Sequence, residues 1–155
     1  MEQTVQVERF ITADPNDLYG LVADIERMGE WSTETEACEW VGGETGPAVG
    51  AKFRGKNRNG KKRWSTMCKV VVAEPGKEFA FDVTVGPLKV ARWAYVFEPT
   101  AEGCRVTETW TDHRGRIATL AGKPASGVTD RVSHNRATME QTLEHLAVAA
   151  EPAGL

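Results

Sequence analysis

The sequence predicts an α+β fold in which a curved antiparallel sheet of about seven strands wraps around one long C-terminal helix. Three features carry this expectation. The stretch from Ala37 to His113 is a series of short alternating runs broken by turn residues. Apolar residues recur at helical spacing in only two places, Asp14 to Arg27 and Thr129 to Ala150. The connections between the runs are too short for parallel crossovers, which leaves antiparallel neighbours.

Taken in order, Thr4 to Thr12 alternates as a first strand, with Val5, Val7 and Arg9 on one face and Phe10 opposite. Asp14-Pro15 then combines a capping side chain with a proline at the first helical position, and Asp17 favours the positive end of the helix dipole. Leu18, Leu21, Val22 and Ile25 give this helix its apolar stripe, with a short helical turn continuing toward Trp31. Turn signals at Gly42-Gly43, Gly46-Pro47, Asn59-Gly60, Pro75-Gly76, Gly86-Pro87 and Pro99 to Gly103 then separate six strands. These are Ala37–Val41, Ala51–Arg58, Arg63–Ala73, Glu78–Val85, Val90–Glu98 and Cys104–His113. Arg114 to Val128, rich in Gly, Ala and Pro, reads as a loop able to serve as a lid ahead of the last helix. In that helix Val132, Met139, Leu143 and Leu146 form a stripe interrupted by Asn135.

Composition narrows the class. The 155 residues suit one domain over 1–150 with a short flexible tail at 151–155, and apolar residues at 41% with charged residues at 26% are ordinary for a globular chain. A formal net charge of -3 gives no field that recruits nucleic acid. The basic cluster of Lys56, Arg58, Lys61, Lys62 and Arg63 surrounds the Asn59-Gly60 turn and reads as a solvated hairpin tip. Three dispersed cysteines, Cys38, Cys68 and Cys104, have neither zinc spacing nor an even count, which points to a reducing compartment. No apolar run approaches a membrane span and no signal sequence is apparent, so a cytoplasmic location is the default. No cofactor or metal is expected, and the chain is read as a monomer or homodimer.

Alternation also assigns the concave face. Trp93, Tyr95 and Phe97 share one side of their strand, Phe79, Phe81 and Val83 do the same, and Trp64, Thr66, Cys68, Val70 and Val72 form one face of theirs. With Trp110, Met139 and Leu143 these rings can either pack as core or line a cavity. Polar residues on the inward phase are more informative, because burial without a partner costs several kcal/mol (about 2–7). Glu108 and Asp112 share a face with Val106 and Trp110, so each is a candidate acid, base or ligand anchor, unless it sits at an open end or pairs with an arginine. Asn57 and Asn135 are further candidate cavity groups. His113 ends the last strand on the phase opposite Trp110 and is the weakest catalytic candidate. No GxSxG, HExxH, phosphate-loop or GxGxxG motif occurs.

Beyond these patterns, the chain resembles the START-like or SRPBCC superfamily, the Bet v 1-like helix-grip fold, and within it the polyketide cyclase/dehydrase and lipid-transport branch. The resemblance spans about Val5 to Leu146. It rests on the element order and on Val22-Ala23-Asp24-Ile25-Glu26-Arg27-Met28-Gly29-Glu30-Trp31, Gly50-Ala51-Lys52-Phe53, Trp93-Ala94-Tyr95-Val96-Phe97-Glu98-Pro99 and Cys104-Arg105-Val106-Thr107-Glu108. These motifs imply a fold and a habit of holding an apolar molecule such as a lipid, polyketide or aromatic metabolite, and they bring no universal catalytic signature. An enzyme of the cyclase, aromatase or dehydratase type, using a cavity carboxylate, is the competing implication.

Overall fold

The computed structural model describes residues 3–114 and 130–151. Apart from Arg114 and Glu151, the expected lid and the expected tail lie outside the described residues. The elements are β1 (Gln3–Ile11), α1 (Pro15–Ala23), a 3-10 segment (Ile25–Glu30), β2 (Thr35–Val41), β3 (Lys52–Asn59), β4 (Lys62–Glu74), β5 (Glu78–Val85), β6 (Leu88–Pro99), β7 (Cys104–Asp112) and α2 (Arg131–Ala150). The seven strands form one sheet in the order β1-β7-β6-β5-β4-β3-β2, and each neighbouring pair is antiparallel. This is the helix-grip architecture: the sheet curls, and α2 lies in the curl.

Local chemistry sets the element ends. Asp14 caps α1 by accepting a hydrogen bond from the Asn16 N–H at 2.8 Å, with Pro15 directly behind it. Apolar periodicity in the sequence continues unbroken to Ile25, but the chain leaves α-geometry after Ala23 and tightens into the 3-10 segment. Asp130 caps α2 by accepting from the Ser133 N–H at 3.2 Å. Register is fixed by short hairpins, such as the turn after Asn59, where Gly60 takes a φ of 61° that L side chains rarely adopt.

One phase differs from the alternation. A bulge between Val70 and Val72 sets two β4 residues against one step of β5, so Phe79 pairs with Ala73. Past the bulge the inward positions shift by one, and Ala73 rather than Val72 packs against the core. The basic hairpin is an exposed ribbon, with Arg58 and Arg63 lying 3.5 and 3.6 Å from Glu36 on β2.

The solid core occupies one end of the curl. There α1 plugs the sheet: Leu18 and Val22 are buried, and the Tyr19 ring meets Phe79 and Phe97 edge-on at centroid separations of 6.2 and 6.1 Å. The C-terminal half of α2 adds Leu143, Leu146 and Ala147. At the other end α1 is absent, and among the described residues the N-terminal half of α2 faces the sheet.

Candidate functional site: a cavity under the N-terminal half of the last helix

Where α1 does not reach, a cavity of about 330 Å³ opens between α2 and strands β2 to β7. That volume falls at the lower end of the range usual for small-molecule sites. Small residues on β2 to β4, namely Cys38, Gly55, Thr66 and Cys68, leave part of this space open. Rings form the rest of the wall. Trp93 and Trp110 are cross-strand partners with centroids 6.5 Å apart, and Phe53 and Phe81 stack edge-on at 5.1 Å. Met139 is the apolar contribution of α2.

Of the residues expected at a cavity, Trp64, Phe81, Trp93, Tyr95, Trp110, Met139, Asn57 and Asn135 line this one. Phe79, Phe97 and Leu143 do not. They share the inward phase, but Tyr19 and the C-terminal half of α2 fill the space in front of them, so they are core. Alternation identifies the face a residue points to, and it does not reveal what covers that face.

The three candidate catalytic residues separate clearly. Glu108 is 2% exposed and faces the cavity between Val106 and Trp110. Its cross-strand neighbour Tyr95 donates a hydrogen bond to Oε2 at 3.0 Å, while Oε1 is shut off from solvent with no partner among the described residues. Burial pushes the Glu108 carboxyl up to about 8, and the Tyr95 hydrogen bond offsets that only in part. Burial, and then the adjacent Glu108, hold the Tyr95 hydroxyl well above the ordinary phenol range.

Asp112 follows the alternative the sequence left open, pairing with an arginine rather than serving as a free acid or base. Its carboxylate is clamped by Arg114, with Nε at 2.9 Å from Oδ1, Nη2 at 2.8 Å from Oδ2, and the Arg114 backbone N–H donating to Oδ1 at 2.9 Å. Burial alone would raise this group, but the Arg114 hydrogen bonds and charge leave it below the ordinary range, so it is a paired anion. His113 falls on the outer face of the sheet beside Asp82 and Arg92, away from the cavity.

Arg131, Thr138 and Thr142 were not singled out by the sequence pattern, yet they join Asn135 and Met139 at the cavity. Arg131, Asn135, Thr138, Met139 and Thr142 present one face of α2 to the cavity, and Thr142 donates back to the Thr138 carbonyl at 2.9 Å. Their i, i+4, i+7, i+8 and i+11 spacing was the available signal, hidden because the polar members look like breaks in an apolar stripe. Glu34, in the segment before β2, gave no periodic signal at all. It joins α2 through Arg131, whose Nη1 lies 2.6 Å from Glu34 Oε1 and 3.2 Å from Asn135 Oδ1. Cys38 and Cys68 line the wall as thiols, pushed up to about 12 by burial. Among the described residues no cluster of three or more His, Cys, Asp or Glu could hold a metal ion, and no helix is long and apolar enough to cross a membrane.

A sheet curled around a C-terminal helix, with an aromatic-lined cavity at one end, defines the helix-grip class of the SRPBCC superfamily. Within it the chain belongs to the family described as polyketide cyclase / dehydrase and lipid transport, whose model matches residues 2–151. A polyketide-cyclase-like protein of Corynebacterium glutamicum, known from a solution NMR structure, is 34% identical, with a TM-score of 0.61 over 96% of this chain and 89% of that one. The ginseng (Panax ginseng) major latex-like protein 151 shares the fold at 12% identity, with a TM-score of 0.74 over 98% of this chain and 99% of that one. A di-domain aromatase/cyclase from the steffimycin biosynthetic pathway does so at 15% identity, with a TM-score of 0.75 over 97% of this chain and 51% of that one. A search of functionally curated protein sequences gives no match.

Proposed function

We propose that this protein reversibly binds an apolar, ring-bearing small molecule in the cavity beneath α2, with Glu108 as the hydrogen-bonding group on the wall. The observation that carries the reading is an aromatic-lined cavity in which a buried carboxyl oxygen, Glu108 Oε1, is left without a partner among the described residues. Trp64, Trp93, Trp110, Phe81 and Met139 supply affinity through apolar burial at about 25 cal/mol per Å², and Glu108 fixes orientation. With its carboxyl at about 8, Glu108 carries its proton at neutral pH and so donates to a carbonyl or hydroxyl oxygen of the ligand. The family description, which names both cyclisation and lipid transport, agrees with this class of ligand. Transport, sensing and sequestration all use the same binding step. Native mass spectrometry of freshly purified protein is expected to show an added mass that is lost on mild activation. A bare mass, together with failure to bind a neutral dye such as Nile red, would overturn the reading.

A second reading is favoured by the same carboxyl. Glu108 has no cationic partner among the described residues, unlike Asp112. A protonated, desolvated carboxylic acid beside a polyketide-like substrate can deliver its proton to a carbonyl oxygen and take one from carbon, which is the chemistry of a cyclase, aromatase or dehydratase. On this reading Glu108→Gln abolishes turnover and leaves the affinity for an apolar ligand within about tenfold. On the binding reading there is no turnover to lose, and the same change leaves that affinity nearly unchanged, because a neutral amide replaces a neutral carboxylic acid of the same shape and still offers a donor.

A further inference from the structure

The cavity has a second polar pole, remote in sequence from Glu108. Glu34, 18% exposed at its side chain, lines the cavity with Oε1 committed to Arg131 at 2.6 Å, while Oε2 is shut off from solvent without a hydrogen-bond partner among the described residues. Arg131 uses one nitrogen, Nη1, for both Glu34 and Asn135, and its guanidinium lies 6.0 Å from the centroid of the Trp64 ring. Its remaining guanidinium N–H groups have no acceptor among the described residues. His134 Nε2 stands 3.4 Å from Glu34 Oε1, and neither it nor Glu34 Oε2 makes a hydrogen bond among the described residues.

Among the described residues, an acceptor oxygen and guanidinium N–H groups without partners therefore stand side by side beside Trp64, and the two charges cancel. A ligand carboxylate would meet the Glu34 charge, and an ammonium would meet Arg131. A hydroxyl suits both, since it donates to a carboxylate oxygen and accepts from a guanidinium. We propose that Glu34 and Arg131 form a subsite for a neutral hydroxyl on an aromatic ligand, and that this pair rejects carboxylates such as fatty acids. The inference rests on the binding reading above and deepens it: the cavity takes a hydroxylated ring system held at two poles, with Glu34 and Arg131 at one and Glu108 at the other.

The test is displacement of Nile red at neutral pH by three probes of one shape: 2-methylnaphthalene, 2-naphthol and 2-naphthoate. In the wild type, 2-naphthol is expected to bind at least about fivefold more tightly than 2-methylnaphthalene, with 2-naphthoate weakest. Glu34→Gln leaves Arg131 uncompensated, so 2-naphthoate is expected to gain about tenfold or more while 2-methylnaphthalene stays within about twofold. Adding Arg131→Met to that variant is expected to remove the gain. A gain of affinity also shows that the variant folds. If 2-naphthoate is indifferent to Glu34→Gln, or if the hydroxyl preference disappears in Glu108→Gln and survives in Glu34→Gln, the subsite is overturned and the cavity reading stands. If neither Nile red nor any probe binds the wild type, the cavity reading fails and the subsite with it.

Discussion

Replacing Glu108 with Gln keeps the side chain's shape and removes its proton, which makes its burial measurable. In the folded protein the carboxyl sits at about 8, against an ordinary value of 4.5. Between those values the folded chain keeps a proton that the unfolded chain has released. Stability from this group is therefore fully present below about pH 4.5, falls as pH rises, and is lost once pH passes the folded value. The slope is about 1.4 kcal/mol per pH unit, so the wild type is expected to lose about 3 kcal/mol between about pH 5.5 and 7.5 through this residue. That is a large share of the roughly 5–15 kcal/mol typical of a domain. Asp82 and Asp112, both held below the ordinary carboxylate range by arginines, titrate under this window and do not imitate it. The assay is urea unfolding of ligand-free wild type and Glu108→Gln across the window, followed by tryptophan fluorescence. Glu108→Gln is expected to be flatter with pH and more stable than the wild type above about pH 8. Parallel pH dependence in the two proteins would refute the argument, because Glu108 would then be ionised in water.

Three further outcomes depend on where side chains sit. Leu143→Ala and Met139→Ala should differ in kind: Leu143 is core, so its truncation is expected to cost about 2–5 kcal/mol in chemical unfolding, while Met139 lines the cavity, so its truncation also shifts Nile red affinity. If Leu143→Ala altered dye affinity more than Met139→Ala, the division into core and cavity would be wrong. The Cys38 and Cys68 thiols, buried and pushed up to about 12, are expected to resist a disulfide reagent at neutral pH and to react fully in urea. Rapid reaction in the native protein would show that the wall opens to water. Gly103→Ala would set a methyl group against the Ile11 carbonyl oxygen, where backbone rather than a flexible side chain must yield, and is expected to cost about 2 kcal/mol in the same unfolding assay. An unchanged midpoint would contradict the close approach of β1 to the turn before β7.

The fold was largely legible because its signals are local. Turn residues and period-two alternation marked every strand to within a few residues, and the Glu78–Val85 strand matched at both ends. The exceptions have local causes. One extra residue at the Val70/Val72 bulge moved Val72 out of phase, and the chain tightened after Ala23 without any break in apolar spacing. The site was legible only in part because a cavity is a tertiary object. Trp93 and Phe97 share a strand face, yet one borders open space and the other is covered by Tyr19 from α1. Glu108 could be singled out because a carboxylate on an apolar phase violates the pattern. Glu34 violates no pattern, and only contact with Arg131, distant in sequence, makes it part of the site.

A small apolar molecule in the cavity between α2 and the sheet would lie against indole rings. The chain's tryptophans test this occupancy directly, since Trp64, Trp93 and Trp110 line the cavity while Trp31 is buried outside it and Trp40 packs on Phe53. The measurement is a titration of 2-naphthol into ¹⁵N-labelled protein, observing the indole N–H signals. Shifts of the Trp64, Trp93 and Trp110 signals, saturating together while Trp31 and Trp40 stay in place, are the expected result. Saturable shifts confined to Trp31 and Trp40, or no saturable shift in any indole, would contradict it.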